Sequence, residues 1–314
     1  MKTYKGFNKD MTCKGFQYKE GETYETKEAK CCETGFHGCE YPLDCFNYYY
    51  PAKSEFHEVE QTGRIDKHGE DTKISSTKIK IGAKLSITGL VKAAIDFTMA
   101  RTRTEAKSDE DSGAASSTED HGAASSTGIR GSASSTGYCG AASSTGYCGA
   151  ASSTGNRGAA SSTGYYSAAF STGDHGAASS TGIRGSASST GYCGAASSTG
   201  RGGVASSTGI RGSASSTGEF SAAFSTGDHG AASSGHETSV AVAWGYHGKG
   251  KGVLGSYIVL ADWRNISGGK SSWKASDWKF KGAKMIRIDG KRYKPDTWYS
   301  FDGNGKIVEV KENE

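Results

Sequence analysis

Between residues 113 and 238 small apolar and polar positions recur every nine residues as Gly-Ala-Ala-Ser-Ser-Thr-Gly-x-x, and fourteen such nonads fill the stretch end to end. Position 3 is always Ala, from Ala115 to Ala232, and position 5 is always Ser, from Ser117 to Ser234. Positions 2, 4 and 6 vary, with Val204 at position 2 and Phe170 and Phe224 at position 4. Alternate residues of a strand share a face, so the pattern predicts one short strand per nonad, with positions 3 and 5 inward and 2, 4 and 6 outward. Residues 120–146 and 174–200 are identical at an offset of 54. That offset equals three coils of 18 residues; an offset of 27 would swap the two faces. The expectation is a β-solenoid, or β-roll, of seven two-strand coils, on the order of 34 Å long at ~4.8 Å spacing. The alternative for a Gly/Ser-rich tract is a flexible linker; the invariance of positions 3 and 5 favours the roll. Its Gly-x-x-Gly corners are read as positions of positive φ. Its inward Ser hydroxyls need partners and are expected to find them along their own ladder. Its length would change by whole coils without disturbing either end.

The flanks follow other periods. Residues 3–7, 56–60 and 78–81 read as strands, and residues 43–49 as a short helix. Residues 89–107 read as a longer helix whose buried stripe is Leu90, Val91, Ala94, Ile95 and Thr98. Residues 107–112 form a polar lead-in to the roll. After it, 257–261, 285–288 and 306–310 read as strands, and Asp302-Gly303-Asn304-Gly305 is a hairpin turn. The fold class expected is mainly β. An α+β domain spans 1–111, the solenoid 112–256, and a small β cap 257–314 that covers the open end.

Composition adds limits. The chain has 46 Gly but only 3 Pro and no Gly-X-Y period, which excludes collagen. No run of 18 apolar residues suggests a membrane span, and a membrane partner is not expected. The net charge of +4 is too small for a dedicated nucleic-acid binder, although Lys and Arg gather among aromatics in 249–294. Residues 1–8 lack the apolar core of a secretory signal, so a cytoplasmic or virion-associated protein with reduced cysteines is expected. Cys31, Cys32, His37 and Cys39, with Cys13 and Cys45, do not repeat the tight pairs of a structural zinc site. They read as core cysteines, with no metal and no cofactor. The roll shares its period with calcium-binding nonapeptide rolls but lacks the repeated Asp that calcium needs. His121, His175 and His229 are three coils apart, about 14 Å, too far to share a metal.

Chemistry in the roll is confined to its corners and outward faces. Phe170, Phe224, Tyr165, Tyr166, Arg130, Arg184 and Arg211 are the candidate interaction surface. The outward Thr rows, such as Thr127, Thr145 and Thr163, are read as solvated. Residues 239–256, SVAVAWGYHGKGKGVLGS, resemble the head repeats of trimeric autotransporter adhesins, which implies a roll and a homotrimer. The N-terminal segments Tyr4-Lys5-Gly6-Phe7, Thr34-Gly35-Phe36-His37, 41–50 and 56–60 resemble the ADP-ribosyltransferase fold. That resemblance implies Lys5 and Gly6 near NAD, and Gly35, Phe36 and Tyr48 in a nicotinamide wall beside His37. The first motif has no Arg or His, His37-Gly38-Cys39 replaces the family's Ser-Thr-Ser triplet, and no Glu is assignable as catalytic. A fold relative without activity is therefore expected. As a whole the chain resembles proteins of gut bacteria and their phages that join a GFH-x-C-E-x-P-L-D domain (residues 35–44) to nonapeptide tracts of varying length, and the closing residues 294–299 fit too. The function expected is non-enzymatic: a rigid roll presenting variable corner residues to a protein partner or to another copy. The alternative is an NAD- or ADP-ribose-type ligand binder, or an ADP-ribosyltransferase-like enzyme, at the N-terminal domain.

Overall fold

A computed structural model describes residues 1–67, 72–101, 105–266 and 275–310. Each nonad supplies one four-residue strand, paired in parallel with the strand 18 residues on, so that Ala124 lies beside Ala142 and Ser126 beside Ser144. Successive strands alternate between two sheets. The chain is mainly β, built around a solenoid of about 9 turns of ~18 residues between 106 and 260. It exceeds the expected seven coils because both flanks join it. Glu105–Ser108, expected as the end of the long helix and the start of the lead-in, is instead a strand paired with Ala123–Ser126. Lys249–Gly252 and Tyr257–Asn265 extend the two sheets at the far end. These rungs have lost the consensus but keep a small or apolar residue at the inward positions, Ala106 at one end and Gly250, Ile258 and Leu260 at the other.

The interior is Ala at position 3 and Ser at position 5, both buried in nearly every coil. The serines correct the expectation of a hydroxyl ladder. Ser135 donates to the carbonyl of Gly122 at 3.2 Å, Ser144 to Gly131 at 3.3 Å and Ser162 to Gly149 at 3.2 Å. These three hydroxyls thus find a corner carbonyl 13 residues back, whereas those of Ser126, Ser207, Ser216, Ser225 and Ser234 have no partner among the described residues. The glycines correct a second expectation. A Cβ at Gly131 or Gly140 would land on the Oγ of Ser126 or Ser135, and one at Gly146 on the carbonyl oxygen of Gly128, one coil back. Gly131 and Gly140 therefore make room for the Ser hydroxyl of their own coil, and Gly146 admits the close approach of the neighbouring coil. Positive φ falls instead on position 9, at His121 (56°), Cys139 (53°), Arg157 (59°) and Arg184 (55°), where only Gly202 has the residue that αL favours.

The N-terminal domain is a small closed antiparallel sheet. Thr23–Glu25, Lys73–Leu85, Phe36–Cys39, Lys2–Asn8 and Ser54–Lys67 lie in that order, and the last pairs back onto Lys73–Leu85. The expected strands are present but longer. The expected helix at 43–49 is a 3-10 turn at Pro42–Asn47. The long helix, α1, spans Ile87–Arg101, not 89–107. Ser86 starts it early by accepting the Gly89 N–H at 3.1 Å, an N-cap contact, and the expected residues 102–104 lie outside the described residues.

Helix α1 lies on one face of the roll. Its buried residues are Leu90, Val91, Ala94, Ile95 and Thr98, the stripe read from its periodicity. They pack on the position-2 residues Ala141, Ala159, Ala177 and Ala195. Fifteen residues at 1.5 Å rise give about 22 Å, close to the ~19 Å that five strands span. Thr88 Oγ1 bonds Ser197 Oγ at 3.1 Å, and Thr98 Oγ1 donates to the Cys139 carbonyl at 3.2 Å. The helix thus runs backward along the roll and delivers the chain to the first rung. Residues 41–50 cover the adjoining edge. Tyr41 Oη donates to the Arg157 carbonyl at 2.6 Å, the Arg157 guanidinium meets the buried Asp44 carboxylate at 3.0 Å, and Arg211 donates to Tyr50 Oη at 2.7 Å.

At the far end Trp278–Arg287 pairs antiparallel with Tyr257–Asn265, and Tyr299–Phe301 with Lys249–Gly252. Ile307–Glu309 completes the cap through the expected turn, in which Asp302 accepts the N–H groups of Asn304 and Lys306. Exposed Lys279, Lys281 and Lys284 on the terminal strand oppose further sheet growth. The N-terminal domain also reaches this cap. Lys9 lies 4.4 Å over the Trp298 ring, and Ala52, Ala231 and Trp298 are buried together. Both ends of the roll are therefore held by the same domain, which corrects the expectation that coils could be added freely.

Candidate functional site

The N-terminal sheet encloses a cavity of about 280 Å³ between its strands and the 3-10 turn. Lys5, Gly6, Gly35, Phe36, His37 and Tyr48 all line it. The structure thus brings together every ligand candidate read from the sequence. Lys5 and Gly6 come from the first strand, Phe36 and His37 from Phe36–Cys39, which pairs beside it at Tyr4↔Cys39. The glycines serve packing: a Cβ on Gly6 would run into Tyr49, and one on Gly35, at φ 89°, into Ala29 at 2.9 Å.

Lys5 forms the floor. Its side chain is buried, and Nζ donates to the His37 carbonyl at 2.9 Å and to Cys13 Sγ at 3.5 Å. It also lies 5.4 Å from the Phe7 ring centre and 5.6 Å from that of Tyr18. His37 accepts the Cys32 N–H on Nε2 at 3.0 Å. Burial, with Lys5, Lys73 and Lys14 nearby, pushes its imidazole down to about 4, so it is neutral at neutral pH. Burial pushes the Tyr18 and Tyr49 phenols upward.

Several lining residues escaped the sequence reading: Cys13, Lys14, Phe16 and Tyr18 from the hairpin at 11–18, and Lys73. Lys73 lies 4.4 Å over the Tyr48 ring. No local pattern marks it, because it reaches the cavity through the pairing of Phe36–Cys39 with Lys73–Leu85. Phe16, Tyr18 and Phe36 form an edge-to-face cluster with centroids 4.8–6.3 Å apart. The lining contains no Asp or Glu among the described residues.

The cysteine reading divides. Cys31, Cys39 and Cys45 are buried, whereas Cys13 is half-buried and Cys32 exposed, and none of the eight cysteines is in a disulfide. No group of metal-ligating side chains occurs among the described residues, and no helix there is long and apolar enough to cross a membrane.

The interaction candidates separate into three places. Phe170, 43% exposed, and Phe224 stand on the sheet opposite α1. Arg130, Tyr165, Tyr166 and Arg184 lie on the edge away from residues 41–50, where the parallel rings of Tyr147 and Tyr165 stack at 5.3 Å and Arg184 donates to Tyr166 Oη. Arg211 lies on the docked edge, bonded to Tyr50, so it belongs to the domain junction and not to the open surface.

Residues 1–93 match the family described as Domain of unknown function (DUF7666), a stretch that ends within α1. No curated protein and no solved structure matches the chain.

Proposed function

We propose that the protein is a non-enzymatic interaction protein in which the roll is a rigid scaffold for self-association. The observation that carries this reading is the asymmetry of the roll's surface. α1 and residues 41–50 pack on one sheet and one edge, where Tyr138, Tyr192 and Ile210 stay in part exposed, while the opposite edge is uncovered and exposes Ile129, Tyr147, Tyr166, Ile183 and Phe220 beside Arg130 and Arg184. Aromatic residues and Arg are the types enriched where proteins meet, and a backbone-laddered edge presents them without ordering a loop. The adhesin-like segment at 239–256 favours three copies. Light scattering after size exclusion tests this on the wild type and on a Tyr147→Ser/Tyr166→Ser/Phe220→Ser variant. An oligomer that the variant dissolves is the expected result. A wild type that remains monomeric at high concentration overturns it.

A second reading takes the cavity as a site for an NAD- or ADP-ribose-type ligand, and the convergence of six candidate residues on one cavity supports it. With no carboxylate in the lining among the described residues, binding is favoured over transferase chemistry. Calorimetric titration of the full chain with ADP-ribose tests it; a folded protein that gives no heat removes this reading.

A further inference from the structure

The cavity's charge narrows what it can hold, given the reading of it as a ligand site. Three ammonium groups, Lys5, Lys14 and Lys73, line about 280 Å³ together with Phe16, Tyr18, Phe36 and Tyr48. An ammonium has three N–H donors, and two of those on Lys5 are used, on a carbonyl and a thiol. Neither partner is a carboxylate. A buried charge is costly unless an opposite charge meets it, and among the described residues no carboxylate lines the cavity to do so. His37 cannot help, since its neutral ring already accepts the Cys32 N–H on Nε2. The missing charge is therefore one that a ligand brings. The rings at the mouth, Phe16 and Tyr48, are both exposed and offer flat faces and edges for a planar group.

We propose that this cavity binds a planar aromatic acid of up to mononucleotide size, with its anionic group at Lys5 and Lys14 and an uncharged ring against Phe16, Tyr18 and Phe36. The anionic group is a phosphate or a carboxylate; the ammonium groups of Lys5 and Lys14 accept either. A ligand with a cationic ring, including the pyridinium of NAD, is disfavoured by the same lysines.

Titration calorimetry on the full chain separates these cases. AMP and nicotinamide mononucleotide share a ribose phosphate and differ in ring charge. Indole-3-carboxylate and neutral indole differ only in the acid. AMP is expected to bind at least tenfold tighter than nicotinamide mononucleotide, or indole-3-carboxylate at least tenfold tighter than indole; whichever acid binds identifies the anion. Lys5→Met is expected to weaken that acid at least tenfold. Lys14→Glu, at an exposed position, does the same without burying anything new, so a folding defect in the first variant does not shield the proposal. Equal or tighter binding of indole overturns the anionic assignment, and equal or tighter binding of nicotinamide mononucleotide overturns the uncharged ring, while either result keeps the cavity as a ligand site. Silence from all four probes, with circular dichroism showing a folded chain, overturns both.

Discussion

At the scale of single residues, the two unusual backbone features of the roll fall on different positions, and this has opposite consequences for substitution. Gly146 has an ordinary φ but no room, because a Cβ would meet the Gly128 carbonyl. Gly146→Ala is expected to destabilise the roll by about 1–3 kcal/mol, the usual cost of overpacking, measured by urea unfolding. Arg184 has room but sits at φ 55°, which costs a non-glycine residue about 1 kcal/mol. Arg184→Gly is expected to be neutral or to stabilise by up to ~1 kcal/mol, after loss of an exposed bond to Tyr166. Composition showed the abundance of glycine but not its purpose, since the carbonyl one coil back becomes a neighbour only when the coils stack. His37 supplies a second test at this scale. Its folded value of about 4 lies below the ordinary 6.5, so between those values the unfolded chain binds a proton that the folded site refuses. Stability is therefore expected to fall as pH drops from 6.5 toward 4. His229, also near 4 through burial first and then His247, acts in the same direction. Proton NMR of the imidazole should place the His37 midpoint near 4; a midpoint near 6.5 would contradict the packing described around Lys5.

At the scale of elements, α1 divides positions that the repeat treats as equivalent. Position 2 faces outward on both sheets, but on one of them it meets Leu90, Val91 and Ile95. Ala159→Val is expected to cost about 1–3 kcal/mol there. Ala150→Val, at the same position on the open sheet, is expected to change stability by no more than about 0.5 kcal/mol, as the natural Val204 on that sheet suggests. Equal effects in thermal melts would mean that the helix does not seat on the roll. Both partners of this junction were legible: the 3.6-residue stripe on α1 and the Ala rows of the nonads. Their meeting was not, because nothing local relates residue 91 to residue 159. The cavity shows the same division. Lys5, Gly35, Phe36 and His37 belong to compact motifs, whereas Lys73 reaches them through strand pairing and Cys13, Lys14 and Phe16 through a hairpin that carries little hydrophobic pattern.

At the scale of the molecule, the N-terminal domain grips the roll near Arg157, at Arg211 and at Trp298. Repeat proteins usually gain or lose units because each contacts only its neighbours. Here a second copy of residues 174–227, inserted after 227, preserves every inward position and both faces. It moves Trp298 about 14 Å from Lys9, at three strand spacings. The variant is expected to fold with a roll longer by that amount in small-angle scattering, to melt below the wild type, and to expose one more tryptophan to iodide quenching. An unchanged melting temperature and a shielded Trp298 would show that the cap is not held.

The backward course of α1 bears on how such a chain reaches its structure. A stack of nearly identical coils has many wrong registers available, and Ala-and-Ser interiors discriminate weakly among them. The chain is synthesised at about 5–20 residues per second and domains fold from the N-terminal side as it emerges, so residues 1–101 leave the ribosome before Glu105 does. The closed sheet and its helix are then complete while the roll is still being made. Each new coil is laid against a surface already in place, with Cys139, Arg157 and Arg211 of the roll meeting Thr98, Asp44 and Tyr50 in turn. The domain would thus serve as the jig on which the repeats are counted into register.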